Sequence, residues 1–393
     1  MAAIAQVKSR RPSLQLPVWK ALLLSLPMLL ISSFLWVPNL SGAGDSLALI
    51  AGIIALLGIN TIFFFMLYTG KTDRYRAVMF IIIAIALPMD FIPWMIKTYG
   101  SMMLTDEIVY SGGASFCPLT MPMILIPALV KRVIIFPGEL LPTMAHGAFS
   151  LMFIIWVAAS LSVGMGWCSW VCLYGGWDEF FSRLRRKPLI KNIDRRWIYL
   201  PFGMLLAIVV LSAITFTPIY CEWFCPFKIA TEFQAPVNLL TSIQVGIFVV
   251  LFIGLVVVLP ILTRRRVQCG LFCPFGALQS FLNKINIFEV RVDLDKCSEC
   301  KQCLRTCPTF SLDESSLKSG KTLITCTKCS KCIDGCPKGA AYYHIKGTSL
   351  KASPQTARIL FVYAGFVLML IFGGEIVNAL YRIFKLITTG SML

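Results

Sequence analysis

The sequence predicts a mainly α integral membrane protein of about seven transmembrane helices, joined to a small cysteine-rich domain on the cytoplasmic side. Three observations predict it: apolar runs of membrane length, a one-sided distribution of basic residues between them, and a cysteine-dense stretch near the C-terminal end. Hydrophobic residues make up 57% of the 393 and mean hydropathy is +0.78. Soluble domains carry roughly 45–50% apolar residues, so most of this chain belongs in lipid rather than around an aqueous core.

A span needs roughly 20 apolar residues. Runs of that length fall at Val18 to Val37, Leu47 to Thr69, Ala77 to Ile96, Gly147 to Gly166, Ile198 to Pro218, Ile243 to Leu262 and Ala357 to Gly374. The first has no small-residue cleavage site and leads directly into the second, so it reads as a retained span, not a signal peptide. Lys and Arg near helix ends stay on the cytoplasmic side. Lys8, Arg10, Arg11 and Lys20 precede the first span, and Lys71, Arg74 and Arg76 join the second to the third. Arg183, Arg185, Arg186, Lys187, Lys191, Arg195 and Arg196 follow the fourth, and Arg264, Arg265 and Arg266 follow the sixth. The opposite loops are poor in such residues, which puts the N-terminus inside and the C-terminus outside. The net charge of +17 is therefore mainly a topology signal rather than a sign of nucleic-acid binding; a cationic inner face could also attract anionic lipid or an acidic soluble carrier.

Near the C-terminal end one phrase occurs twice: Cys297-x-x-Cys300-x-x-Cys303-x-x-x-Cys307-Pro308, then Cys326-x-x-Cys329-x-x-Cys332-x-x-x-Cys336-Pro337. Three thiolates at this spacing wrap one cubane, and the fourth, followed by Pro, ligates the neighbouring one. The pattern predicts a bacterial-type 2[4Fe-4S] ferredoxin domain, with Cys297, Cys300, Cys303 and Cys336 on one cluster and Cys326, Cys329, Cys332 and Cys307 on the other. Structural zinc is the competing reading, but zinc sites usually pair two thiolates with two ligands after a longer gap.

Six further cysteines form three Cys-x-x-x-Cys pairs, a spacing that puts two side chains on one face of a helix. Cys168 and Cys172 follow the fourth run and Cys269 and Cys273 follow the sixth, both at the cytoplasmic face, where four thiolates could close one further cluster. Cys273-Pro274-Phe275-Gly276 reads as a turn that restarts as a helix with Pro in its first turn. Cys221 and Cys225 follow the fifth run and fall at the outer face. There Cys117 opens a short apolar stretch, Leu119 to Val130, too short to span and read as re-entrant. Cys117, Cys221, Cys225 and His146 are candidates for an outer Fe-S cluster; a Cys221–Cys225 disulfide, free buried thiols or a helix-capping His are alternatives. Loops bearing these cysteines are expected to dip inward and shorten the gap between sites.

Other residues carry weaker signals. Asp90, near the outer end of the third run, is a candidate for proton transfer or simply a hydrated end residue. Glu139, Glu222 and Glu232 read as solvated loop carboxylates, and Met102, Met103, Met121, Met123 and Met144 as packing residues. Trp36, Trp94, Trp167 and Trp197 read as interfacial belt residues. Gly112-Gly113 and Gly175-Gly176 read as hinges or close-packing positions. The tail Tyr381 to Ile387 is amphipathic, suited to docking a partner or lying on the outer interface. No phosphate-cradling Gly loop, hydrolytic triad or nucleotide motif stands out.

From Cys117 to Cys336 the chain resembles the NapH/NosR-type membrane polyferredoxins. The resemblance rests on Gly166-Trp-Cys-Ser-Trp-Val-Cys172, Cys269-Gly-Leu-Phe-Cys-Pro-Phe-Gly-Ala-Leu278 and the paired ferredoxin phrases, with Cys117-Pro-Leu-Thr-Met-Pro122 similar to a segment of the NapH branch. It implies a quinol-linked or ferredoxin-linked electron carrier of the prokaryotic cytoplasmic (inner) membrane, serving respiration or redox maturation. Leu173 replaces the Pro that often follows the first membrane pair, and Cys117, Cys221 and Cys225 are additions to the NapH pattern. The outer flavin domain of the NosR branch has no counterpart ahead of the first span, so flavin is not expected.

The expected organisation is a cytoplasmic basic tail (1–17), a membrane domain with six spans (18–290, with the re-entrant segment near 116–130), the two-cluster domain (291–346), and a seventh span with the amphipathic tail (347–393). The expected function is electron transfer through these clusters across the membrane, between a cytoplasmic and an outer redox partner. Alternatives are a quinol dehydrogenase subunit binding quinone in the bilayer, and an accessory protein supplying reducing equivalents for metalloenzyme maturation.

Overall fold

The computed structural model describes residues 14–41, 46–99, 147–191, 193–217, 219–231, 236–348, 354–371 and 373–392. Cys117, His146, Glu139, Glu232, the five loop methionines and the Leu119 to Val130 stretch lie outside these residues. The chain is mainly helical. Helices α1 (Val18–Ser41), α2 (Ser46–Thr69) and α3 (Thr72–Tyr99) pack in sequence, α1 on α2 and α2 on α3. α2 is apolar around its whole circumference, the pattern of a buried or lipid-exposed helix. On α1, Leu22, Leu26, Leu30 and Phe34 form an exposed stripe at i, i+4 spacing, a face suited to lipid and not to water.

Next come α4 (Gly147–Ser162), α5 (Leu173–Arg183), α6 (Leu200–Thr215) and α7 (Leu239–Leu251), the last continuing through a π-helical stretch, Phe252–Val258, to Thr263. An Asn238–Thr241 capping box starts α7, meeting two of its orphan backbone donors. Among the described residues, five helices are long and apolar enough to cross a bilayer: Val18–Trp36, Ser46–Thr69, Thr72–Pro93, Arg195–Thr215 and Leu239–Thr263. The pair α9 (Pro354–Ile371) and α10 (Gly374–Thr389), bent by 46° at their break, counts as a sixth when the two are taken as one span. The described part of α4 is 16 residues, about 24 Å at the helical rise of 1.5 Å per residue. It ends before Gly164, whose φ is +57° and where a Cβ would meet Asn283 Oδ1 at 2.5 Å.

Helix α8 (Pro274–Leu282) leads from the membrane helices into a two-stranded antiparallel sheet, β1 (Phe288–Val292) with β2 (Ala341–Ile345), in register Phe288↔Ile345 to Val292↔Ala341. Between the strands lie the two four-cysteine phrases. Phe361 of α9 joins this domain to the helices: its ring stacks on Tyr343 (4.4 Å between centroids) and meets Phe288 and Trp170 edge-on at 5.3 and 5.4 Å. The buried Arg358 clamps the base of α9, donating to Thr72 Oγ1 (2.8 Å) and to the carbonyls of Leu14 (3.1 Å) and Met66 (2.8 Å).

Helix α10, which carries the amphipathic tail, packs on α2 and α3 and buries Ile376 and Ala379. Two local expectations change. Asp90 is paired, accepting from Arg382 Nε and Asn378 Nδ2, each at 2.8 Å. Trp167 and Trp36 are core residues, 0% and 5% exposed, and Trp36 Nε1 donates to the Leu370 carbonyl at 3.3 Å; Trp197, at 55% exposure, keeps a surface position.

Candidate iron-sulfur sites

The two phrases fold into two loop-and-turn units whose cysteines interleave. Cys297, Cys300, Cys303 and Cys336 line one small cavity, with Pro337 and Val292 beside them. A second is lined by Cys326, Cys329, Cys332 and Cys307, with Pro308 and Val290. In each, three cysteines of one phrase face the Pro-linked cysteine of the other. Cys300 is exposed, whereas Cys307 and Cys329 are buried, so the first cavity is the more open to solvent. The sulfurs of Cys307 and Cys336 accept backbone N–H bonds from Ser311 and Ala340, each at 3.2 Å. Burial pushes the Cys329 thiol up to about 12. A thiol so placed ionises when a cation accompanies it, as iron ligation requires. Among the described residues, no three His, Cys, Asp or Glu side chains gather closely enough for a single metal ion. A cubane binds each thiolate through a different iron, so its ligands ring a cavity instead of meeting at a point.

The membrane pairs do not sit on continuous helix faces. Cys168 lies in a four-residue helix, Trp167–Trp170, and Cys221 and Cys269 lie in π-helical turns, Tyr220–Phe224 and Gln268–Phe272. Such turns occur frequently at functional sites. The second cysteine of each pair then turns extended: Cys172 at φ −66°, ψ 110°; Cys225 at −77°, 109°; Cys273 at −71°, 116°. Cys307 and Cys336 adopt the same conformation, −62°, 116° and −74°, 117°. Four of the five precede Pro, which excludes the helical region for the residue before it. Cys172 precedes Leu173, and its turn is held instead by the Gly175 N–H donating to its carbonyl at 3.0 Å. The missing Pro therefore changes no backbone geometry here.

The first turn is set into the bundle. α5 runs back along α3, with Gly176 packed where a Cβ would stand 2.6 Å from the Phe80 carbonyl and strike Ala84. Trp177 Nε1 donates to the Ala84 carbonyl, and at the far end Arg183 reaches Asp73 at 2.5 Å. From Asp73 to Ala84 is about 16 Å along α3 at the helical rise of 1.5 Å per residue, so the Cys172 turn lies well within the helices. Gly175 and Gly176 are thus close-packing positions. Cys168, Cys172, Cys269 and Cys273 are all buried. Burial raises the pKa of Cys168, and Cys172 and Cys273 raise it further; for Cys269, Arg266 opposes burial. Burial also raises that of Cys172, while the N–H groups of Gly175 and Tyr174 point at its sulfur and oppose the rise.

The Cys221–Cys225 turn does not stand apart from the other two. Its Tyr220 is fully buried and its hydroxyl accepts from Gln268 Nε2 at 3.2 Å. Phe227, just after Cys225, stacks on Tyr174 at 4.6 Å and meets Trp177 edge-on at 6.0 Å. The pair therefore packs inward, beside Cys172 and the Gln268–Cys273 turn.

Buried charge links these turns to the second cavity. Arg76 and Arg266 are fully buried. Arg76 donates to the carbonyls of Cys329 (3.2 Å) and Ser169 (2.7 Å) and pairs with Asp73 and Glu179, each at 3.1 Å. Trp170, between Cys168 and Cys172, donates from Nε1 to the Lys328 carbonyl at 3.2 Å. Burial works against ionised Glu179, but Arg183, Arg76 and Arg266 outweigh it and hold its carboxyl well below the usual range. Asp178, which accepts the Cys269 N–H at 2.9 Å, is pushed up by burial, against Arg266, to about 7. That Arg76 and Arg266 are buried is not legible from their place beside apolar runs, although the Asp178-Glu179 pair shortly after Cys172 is a signal that counter-charge is needed nearby.

A family model described as a 4Fe-4S binding domain matches residues 145–191, 197–237 and 245–292. Each match contains one Cys-x-x-x-Cys pair. No curated protein and no solved structure matches the chain. Among the described residues the protein is mainly helical with five helices of membrane length, and it matches the 4Fe-4S binding domain model three times. That repetition is consistent with a polyferredoxin, and together with the clustered cysteines it points to iron-sulfur electron transfer.

Proposed function

We propose that this protein is a membrane-bound electron relay of the NapH/NosR type, with seven spans and the two-cluster domain on the cytoplasmic side of a prokaryotic inner membrane. Cys297, Cys300, Cys303 and Cys336 would hold one [4Fe-4S] cluster, Cys326, Cys329, Cys332 and Cys307 a second, and Cys168, Cys172, Cys269 and Cys273 a third. Cys221 and Cys225, with Cys117 and His146 as candidate partners, would hold a further one. Bound clusters supply one-electron redox chemistry. The chain's own residues surround them, direct N–H groups at the sulfurs, and tie the sites together.

The observation that carries this reading is the double bridge from the second cavity to the Cys168–Cys172 turn, Arg76 to Cys329 and Ser169, and Trp170 to Lys328. Tunnelling falls off exponentially with distance, so ligand loops joined by single side chains suit transfer between them. The open first cavity, with Cys300 exposed, suits exchange with a soluble carrier. The inward packing of Cys221–Cys225 favours continuation through the membrane domain over a separate disulfide-bearing loop.

The test is proteoliposomes with a reductant inside and an impermeant one-electron acceptor outside. Wild type is expected to reduce the acceptor, and Cys221→Ser/Cys225→Ser to lose that reduction while keeping its ferredoxin-type signals. Reduction that is unchanged in the variant would refute the cross-membrane route.

A further inference from the structure

Arg266 stands where the cysteine turns meet the charged network. Nη2 donates to the carbonyls of Cys168 (2.6 Å) and Gly175 (3.1 Å) and reaches Cys269 Sγ at 3.2 Å. Nη1 donates to Ser169 Oγ at 2.7 Å. Nε faces Glu179 Oε2 at 3.6 Å. One guanidinium therefore touches both Cys-x-x-x-Cys pairs assigned to the third cluster, and its fork is committed to fixed acceptors. Glu179 in turn is shared with Arg76 at 3.1 Å and Arg183 at 2.5 Å.

A cubane with four thiolates is an anion, and a one-electron reduction makes it more negative. Net charge and hydrogen bonds to the sulfurs set its potential. In a dry interior a fixed charge is felt strongly, so a cation against a ligand sulfur favours the reduced form, and a carboxylate behind that cation weakens the effect. Both elements are present, beside a turn that also has backbone bonds of its own, from Cys172 N to Trp167 O (2.9 Å) and Gly175 N to Cys172 O (3.0 Å).

We infer that Arg266 is a positioning residue that raises the reduction potential of the cluster held by Cys168, Cys172, Cys269 and Cys273, with Glu179 setting how much of its charge that site feels. The inference rests on the reading of those cysteines as a cluster site. It assigns opposite electrostatic effects to two neighbouring buried residues, whereas a purely structural role would give losses of the same kind at both.

The experiment is a redox-poised EPR titration of the full chain in nanodiscs, comparing wild type with Arg266→Gln, Arg266→Lys and Glu179→Gln. Arg266→Gln is expected to shift the membrane-domain couple toward oxidation by about tenfold, about 59 mV lower for a one-electron couple. Arg266→Lys keeps the charge and recovers most of the shift. Glu179→Gln moves the midpoint upward, and the couple of the cluster assigned to Cys297, Cys300, Cys303 and Cys336 stays where it is. An intact signal with an unchanged or raised midpoint in Arg266→Gln overturns the inference. If that variant does not assemble, a Glu179→Gln midpoint that is unchanged or lowered overturns it. A wild type with no membrane-domain signal refutes the underlying site instead, before any variant is compared.

Discussion

Replacing Arg76 by Gln should loosen the joint between the cysteine-rich domain and the membrane helices. Asp73 and Glu179 each retain Arg183 at 2.5 Å, so the carboxylates are not stranded. The carbonyls of Ser169 and Cys329 lose donors at 2.7 and 3.2 Å, in a site where Arg76 is 0% exposed. Each unmet buried acceptor costs about 1–3 kcal/mol, so the two together cost about 2–6 kcal/mol. At about 2–4 °C per kcal/mol for domains of 150–250 residues, the melting temperature should fall by about 4–24 °C. The assay is a thermal melt in nanodiscs, following tryptophan fluorescence and the bleaching of cluster absorbance in parallel. Arg76→Lys keeps the charge without the fork and should fall between. A shift below about 2 °C for Arg76→Gln would refute the assignment of Arg76 as the tie.

Further predictions concern the cysteine domain and the helix contact behind it. Cys307→Ser should abolish the EPR signal of the cluster whose other ligands are Cys326, Cys329 and Cys332, and Cys336→Ser that of the other; loss of the cluster from the substituted phrase itself would show that the ligands do not cross over. Gly176→Ala places a Cβ 2.6 Å from the Phe80 carbonyl, overpacking that should cost about 1–3 kcal/mol and lower the melting temperature; an unchanged melt would mean α3 and α5 can part freely. Asp313 caps the helix Glu314–Ser319 by accepting from Ser316 N at 2.7 Å, so Asp313→Ala should cost about 0.5–2 kcal/mol. Burial opposes its charge, but bonds from Ser315 and Ser316 and the charge of Arg195 hold its pKa at about 2 instead of 3.8. A depressed carboxyl stabilises the fold above its ordinary pKa and loses that contribution as pH falls through the folded value. The melting difference between wild type and Asp313→Ala should therefore hold down to about pH 4 and close toward about pH 2; a gap that closes near neutrality would contradict the cap.

The helices were legible because an uninterrupted apolar run of bilayer length has few alternatives in water or lipid. The two phrases were legible because their spacing is itself ligand geometry: the residues lining the two cavities divide as the crossover pattern implies. The membrane pairs were only half legible. A four-residue spacing suggests a helix face, but Cys172, Cys225 and Cys273 are extended, and only the Pro after the last two announces it. The burial of Arg76 and Arg266 was not legible because a basic residue beside an apolar run looks the same whether it stops at the headgroups or folds inward to meet Glu179. Trp167 looked interfacial for the same reason: position along a run says how deep a residue lies, not which way it faces.

The most direct test is iron and acid-labile sulfide per chain on anaerobically purified protein, with redox-poised EPR, comparing wild type with Cys168→Ser/Cys273→Ser. The account predicts iron beyond that of two [4Fe-4S] clusters in wild type, and loss of one distinct signal in the variant with both ferredoxin-type signals retained. Iron for two clusters only, with identical spectra in wild type and variant, would contradict it and leave the membrane turns without a redox centre.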